Sequence, residues 1–326
     1  MRRALSLIRR RLIGAAPVLA IVIAGTFAMM EAAPGDAVDA YLLSMGGGDA
    51  ALAEQLRRDW GLERSALARF ALYLWSLAQG DLGRSVAFDR PILELILDRL
   101  PNTLLLMGAA LAISAGLGIA LGVVAGARPG SKRDRALSVG ALALYAMPGF
   151  WLGLVLAVVF AVRLRWLPLS GIETLASDLT GLARALDIAR HLVLPATSLG
   201  LIYCALYLRI MRAGMAEVWR RDHVLALRAR GIARRRIVLA HVARNALLPV
   251  VTMLGLQAAG MLGGSVVIES VFAIPGLGRL AYEAVLSRDP ALLMGIILFS
   301  ALLVIAVNLA VDLLYAALDP RIGHKA

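Results

Sequence analysis

Hydrophobic and polar positions along the 326-residue chain fall into long blocks rather than into alternation. Six stretches are nearly free of charge: residues 12–30, 102–127, 137–162, 192–213, 247–268 and 292–316. At ~1.5 Å rise per residue, a helix over each one covers roughly the ~30 Å hydrocarbon core of a bilayer. The pattern predicts an all-α, polytopic membrane protein with six transmembrane helices. Pro17, Pro148 and Pro195 interrupt the first, third and fourth stretches. Membrane helices accept such breaks where neighbouring helices satisfy the freed backbone groups, so a bundle is expected rather than isolated anchors. The first stretch follows Arg2, Arg3, Arg9, Arg10 and Arg11 and no small-x-small cleavage pattern comes after it. It exceeds the ~7–15 residues of a signal-peptide core and is expected to be a retained span.

Two of the intervening polar segments carry patterns of their own. In 31–101, Asp49 is placed to cap a short helix bearing Leu52 and Leu56. Ser65 is placed to cap another with Phe70, Leu74 and Leu77 on one face, stopped by Gly80; Pro91 opens a third piece with Ile92, Leu95 and Ile96. The segment reads as a folded extramembrane loop, either a working part or a simple cover for the bundle. In 214–246, an amphipathic helix is expected from Gly214 to Arg230 with Met215, Val218, Trp219 and Leu225 among its apolar members. Gly231 then supplies a turn, and a second short helix from Arg234 to Asn245 leads to Pro249 in the first turn of span five. This hairpin carries nine arginines from Arg212 to Arg244 against only Glu217 and Asp222.

Composition agrees with a membrane protein: 60% of residues are hydrophobic and the mean hydropathy is +0.79. The net charge of +12 sits between the apolar runs, which argues for membrane topology and against nucleic acid as a partner. With the N-terminus in the cytoplasm, the segments on that side hold 21 of the 34 Lys and Arg, in far fewer residues than the other side uses for the rest. By the positive-inside bias both termini are cytoplasmic, and so is the arginine hairpin. Cys204, the one cysteine, lies in an apolar run and reads as a packing residue.

Several chemistries lack their residues. Spans one, two, three and five hold no charge, whereas an ion-coupled carrier keeps a few because each has a use that offsets a cost of ~2.5–3.5 kcal/mol at mid-membrane. Arg209 and Arg212 close span four, and Asp312 with Asn308 lies near the inner end of span six, as a packing cluster or a gate. His191, His223, His241 and His324 are scattered with no metal-ligand spacing, so no metal site is expected. Lysine occurs at 132 and 325 only, and Ser131-Lys132-Arg133 lacks the glycine-lysine order of a phosphate loop. No catalytic residue is assigned. A docking element for a soluble partner accounts for the hairpin's apolar stripe, its hinge and its charge together, with apolar anchors for affinity and basic residues for steering. The competing readings are a secondary transporter acting alone and a membrane scaffold or receptor.

The segment "ALRARGIARRRIVLAHVARNALLPVV" resembles the ATPase-docking loop of permease subunits of binding-protein-dependent ABC importers, in the dipeptide, oligopeptide and nickel branch. Ala229, Gly231, His241, Asn245 and Pro249 stand at matching positions, while the Glu-Ala-Ala start common elsewhere is replaced by Leu225-Ala226-Leu227. Pro34-Gly35-Asp36, with Ala37 in place of a following proline, "GDLGRS", "LPNTLLL", "LPLSG", "IPGLGRL" and "NLAVDLLYAALDPRI" extend the resemblance almost end to end. It implies a type I importer transmembrane fold over 102–316, preceded by the 31–101 extracytoplasmic loop of the first, B-type permease and followed by a cytoplasmic tail from 317 to 326. The implied partners are a second, similar permease, two cytoplasmic ATPases that hold ATP and Mg, an extracytoplasmic solute-binding protein and membrane lipid. This chain itself is expected to bind no cofactor. The docking residues implied are Glu217, Asp222, Ala226, Arg228, Ala229, Arg230, Gly231, Arg234, Arg235, His241, Asn245 and Pro249. Tyr145, Met147, Trp151, Met253 and Gln257 are candidates for the pathway lining, with ordinary helix packing as the alternative.

Overall fold

The computed structural model describes residues 2–32, 37–45, 47, 49–59, 63–175 and 178–318. Pro34-Gly35-Asp36 and the tail from 319 onward, with the end of the "LDPRI" motif, lie outside the described residues. In chain order the helices are α1 (Arg2–Ala32), α2 (Ala37–Ser44), α3 (Ala50–Asp59), α4 (Ala66–Ala78), α5 (Ile92–Gly126), α6 (Lys132–Ala146), α7 (Gly149–Leu156), α8 (Gly181–Val218), α9 (Asp222–Ala229), α10 (Arg234–Arg236), α11 (Arg244–Val271), α12 (Leu277–Leu286) and α13 (Pro290–Leu318). Two π-helical turns, Ala157–Arg163 and Ile237–Ala243, continue α7 and precede α11. Among the described residues, five helical runs are long and apolar enough to cross a membrane, and a sixth is counted if the bent pair α6 and α7 is one span.

The chain divides into two compact units, residues 1–101 with 276–316 and residues 102–275 with 317–326. In the first, α1 and α13 are joined by an ion pair in which Arg11 Nε meets Asp312 Oδ2 at 2.7 Å. Phe27 of α1 lies 5.0 Å from the Phe70 ring of α4, whose first turn is capped by Ser65 as the sequence suggests. Asp49 Oδ1 likewise accepts from Ala51 N at the start of α3. The unit's core is Ile92, Leu95 and Ile96 packed with Leu277, Leu280, Ala284, Leu292 and Ile296. Pro91 therefore opens no separate third piece. Its apolar face is the start of the 35-residue α5, which begins at Ile92, ten residues before the expected start of span two, and runs through Pro101. Helix α2 was not foreseen. Asp289 is the N-cap of α13, with Pro290 at the first helical position and Leu292 N bound to its Oδ1 at 2.9 Å.

In the second unit, α8 packs with α6, α7 and α11. Leu106 and Ala110 of α5 meet Leu192, Leu194, Ala196 and Leu199 of α8 and Ile268 and Phe272 at the end of α11. Span three, expected as one run over 137–162, is instead bent by 103° between α6 and the α7 segment. Pro148 at the break has no N–H to continue the ladder and pushes Met147 into extended backbone. Glu269 is fully buried inside α11, one residue past the stretch read as span five, with Thr103 Oγ1 donating to its Oε1 at 2.8 Å.

Candidate functional site: the glycine-hinged elbow

The elbow begins as the end of a close-packed helix pair. Tyr207, Met211 and Met215 recur every fourth residue on α8 and rest on Gly118, Gly122 and Gly126 of α5. A Cβ at those glycines would lie 2.7, 2.6 and 2.8 Å from the facing Cβ atoms, so only glycine allows this approach. Partners ascend together along both helices, which makes α5 and α8 parallel. Trp219 is the next four-residue step. At that level α5 has ended, and the indole Nε1 donates to the Gly126 carbonyl at 2.8 Å, one of the orphan acceptors of a helix C-terminus.

The chain leaves α8 in a turn at 219–221 and re-enters a helix as α9, where Val224 is buried. The helix expected from Gly214 to Arg230 is thus two helices, divided where Trp219 turns in beneath α5. After α9, Gly231 has φ +70, Gly231 N donates to Arg228 O at 2.9 Å and Ile232 N to Leu227 O at 3.2 Å. This is a Schellman stop with glycine at its left-handed position and Leu227 and Ile232 both packed against the core. The second arm is no isolated short helix. It runs from Arg234 through a π turn into α11, and Pro249 lies inside that run rather than in its first turn. Ile237, Val238, Val242, Ala243, Ala246 and Val250 bury against Met211, Met215, Val218 and Val224, so both arms share one core.

The expected docking residues divide into two groups. Arg228 and Arg234, both exposed, lay their guanidinium groups over Trp219, the central carbons 4.7 and 5.5 Å from the ring centroid, and Arg234 also donates to Ala127 O at 2.9 Å. Asp222, Ala226, Ala229, Arg230, Gly231 and Arg235 are exposed, as is Glu217, which pairs with Arg221 at 2.7 Å. His241, Asn245 and Pro249 follow at four-residue spacing along one side of the second arm. Asn245 Nδ2 donates to the His241 carbonyl at 2.8 Å, and the proline ring withholds the donor that Asn245's own carbonyl would otherwise accept.

A second fastening was missed in the sequence. Asp134, 1% exposed, is held by both ends of the Arg212 guanidinium, with Nη2 to Oδ2 at 3.0 Å, and by Gly130 N at 2.8 Å. It ties the start of α6 to α8 one turn before the elbow. The glycine triplet at fourth positions in 118–126 was a readable signal for the α5–α8 contact; nothing in the sequence pairs Asp134 with Arg212 across 78 positions. Of the pathway candidates, Tyr145 and Trp151 flank the 146–149 bend at 55% and 47% exposure, and Met147 ends α6. Met253 packs against the elbow core, and Gln257 is half-buried two turns from it.

Apolar spans, a glycine-packed helix pair and a basic elbow at its end define a multi-pass membrane protein with a projecting basic hairpin. The family model described as "Binding-protein-dependent transport system inner membrane component" matches residues 118–324, from the first glycine of the packed triplet onward, and the chain belongs to that family. It is 38% identical to the oligopeptide transport system permease protein AppB of Bacillus subtilis (strain 168), over 97% of this chain and 98% of that protein. It is 38% identical to the di/tripeptide transport system permease protein DppB of Pseudomonas aeruginosa (strain UCBPP-PA14), over 98% and 99%. An inward-facing structure of the MetNI methionine ABC transporter matches with a TM-score of 0.56 at 18% identity, covering 69% of this chain and 96% of that chain, and shares the fold. The protein is a permease subunit of an ABC importer in the bacterial inner membrane.

Proposed function

We propose that this chain forms half of the pathway of a peptide importer, in a heterodimer with a second, similar permease, and has no catalytic activity of its own. Two cytoplasmic ATPases hold ATP and Mg and drive it, and an extracytoplasmic binding protein delivers the solute. The peptide class is supported by two relatives that match end to end, one named for oligopeptides and the other for di- and tripeptides. In this reading there are six spans with both termini in the cytoplasm, the bent α6–α7 pair counting as one. The parallel run of α5 and α8 supports it, since spans two and four then cross in the same direction. Solute choice resides mainly in the binding protein, with Tyr145, Met147, Trp151, Met253 and Gln257 as permissive lining.

The observation that carries the proposal is the elbow: a two-armed, core-backed hairpin stopped by Gly231, with Arg230 and Arg235 exposed on it. Such a rigid projection suits a bistable partner that re-aims spans as it closes. The test is cross-linking from cysteines at Arg230 and Leu225 to the ATPase subunits in the reconstituted complex. Arg230→Glu is expected to weaken ATPase docking in a salt-sensitive way, whereas Arg228→Glu also disturbs the Trp219 stack. Solute uptake with no elbow cross-link to an ATPase would refute the proposal.

A further inference from the structure

We infer that Trp219 is a positioning residue that locks both arms of the elbow to the end of α5, so that α9 and the inner end of span two move as one body. The inference rests on the proposed docking role of the elbow and adds where the force goes. Three segments meet at one indole. The α5 terminus contributes the Gly126 carbonyl, 2.8 Å from Nε1. The first arm contributes Arg228 and the second Arg234, both over the same ring. Arg234 then closes the loop by donating to Ala127 O, the residue after Gly126.

A hairpin with breaks at 219–221 and at Gly231 has two places to swivel. Rotation about either one would pull an arginine from the ring or the indole N–H from its carbonyl, so these contacts remove the freedom that the breaks create. The glycine-packed stretch above it adds stiffness, because Tyr207, Met211 and Met215 leave no slack against α5. A tryptophan needed only to fill the core would require neither its N–H nor two cations. Trp219 keeps all of these contacts while only partly buried. Arg228 and Arg234, although exposed, are thereby employed within the chain, and the exposed arginines left for a partner include Arg220, Arg230, Arg235, Arg236 and Arg244.

The test uses the full complex in vesicles, with binding protein, both permeases and ATPases, in a Cys204→Ala background. Spin labels are placed by Arg128→Cys, beside the α5 terminus, and Leu225→Cys, on the exposed side of α9. The expected result is one 128–225 distance that does not change between the nucleotide-free and ATP-trapped states. Trp219→Ala is expected to broaden it and to lower solute uptake per ATP hydrolysed about tenfold, with the ATPases still co-purifying. Trp219→Phe, which keeps the ring for both arginines and loses only the N–H donor, is expected to lose about two- to threefold. A 128–225 distance that changes with ATP in the otherwise wild-type chain, or unaltered coupling in Trp219→Ala, would overturn the inference. Neither the labelled wild-type measurement nor the Phe variant depends on the Ala variant folding. Failure of the docking role itself reads differently: wild-type elbow cysteines would then not cross-link to an ATPase at all.

Discussion

Asp134 and Asp289 are both 1% exposed, one in each compact unit, and they are held in opposite ways. Asp289 is surrounded by neutral donors: Ser85 Oγ at 2.6 Å, Ala87 N at 3.1 Å and Leu292 N at 2.9 Å. Each of these is a fixed part of the 85–92 turn or of the α13 N-terminus. Asp134 accepts one neutral donor, Gly130 N, but both its oxygens also meet Arg212, a cation whose side chain is 39% exposed and which belongs to another helix. A carboxylate enclosed by neutral donors has no alternative partner when they separate, whereas an arginine in touch with water can exchange its carboxylate for solvent. The first arrangement suits a permanent staple, and the second suits a fastening beside a part that moves.

Variants can break this comparison, beginning with the largest expected effect. Asp289→Ala removes an N-cap and strands two buried donors, and about 3 kcal/mol of stability should be lost, read as a lowered thermal midpoint of the purified protein in detergent. Transport per ATP in the fraction that folds should be unchanged. Asp134→Asn keeps the shape and removes the charge; it should lose about 2 kcal/mol in the same assay and also lower transport per ATP. Combined with Arg212→Gln it should cost far less than the two single variants added together, since both break one contact. Additive losses would show that the pair is not the fastening described.

Gly231→Val isolates backbone conformation, because a Cβ there meets nothing within 4 Å and the whole effect comes from φ +70. A loss of about 1–2 kcal/mol is expected, with uncoupling of ATP hydrolysis from transport. Arg221→Ala should be the smallest, about 0.3 kcal/mol for its exposed pair with Glu217, and its coupling should match wild type. A large coupling defect there would mean that the elbow's exposed charges contribute to transmission along with its core.

What was legible in the sequence depended on how local the cause was. Ser65 capping α4, Asp49 at α3 and Gly231 at its turn act within a few residues, and each stands where expected. The bend at Pro148 was marked by a proline, but its 103° was not, because a proline only removes a hydrogen bond and the angle is set by what α7 packs against. The elbow's second arm was misjudged for a related reason. Arginines and a proline suggested ends to a short helix, yet apolar residues from Ile237 to Val250 on one buried face carry the helix straight through both signals.

Block hydrophobicity by itself determined that this chain crosses a membrane repeatedly, since unbroken apolar runs have no other stable solvent. The order of short motifs was enough to identify its family. Only the tertiary structure decided which arginines stack on Trp219, that α5 and α8 meet through glycines, and that Asp134 finds Arg212. Those outcomes depend on side chains brought together from distant parts of the chain, and helical periodicity says which face a residue is on without saying what lies opposite it.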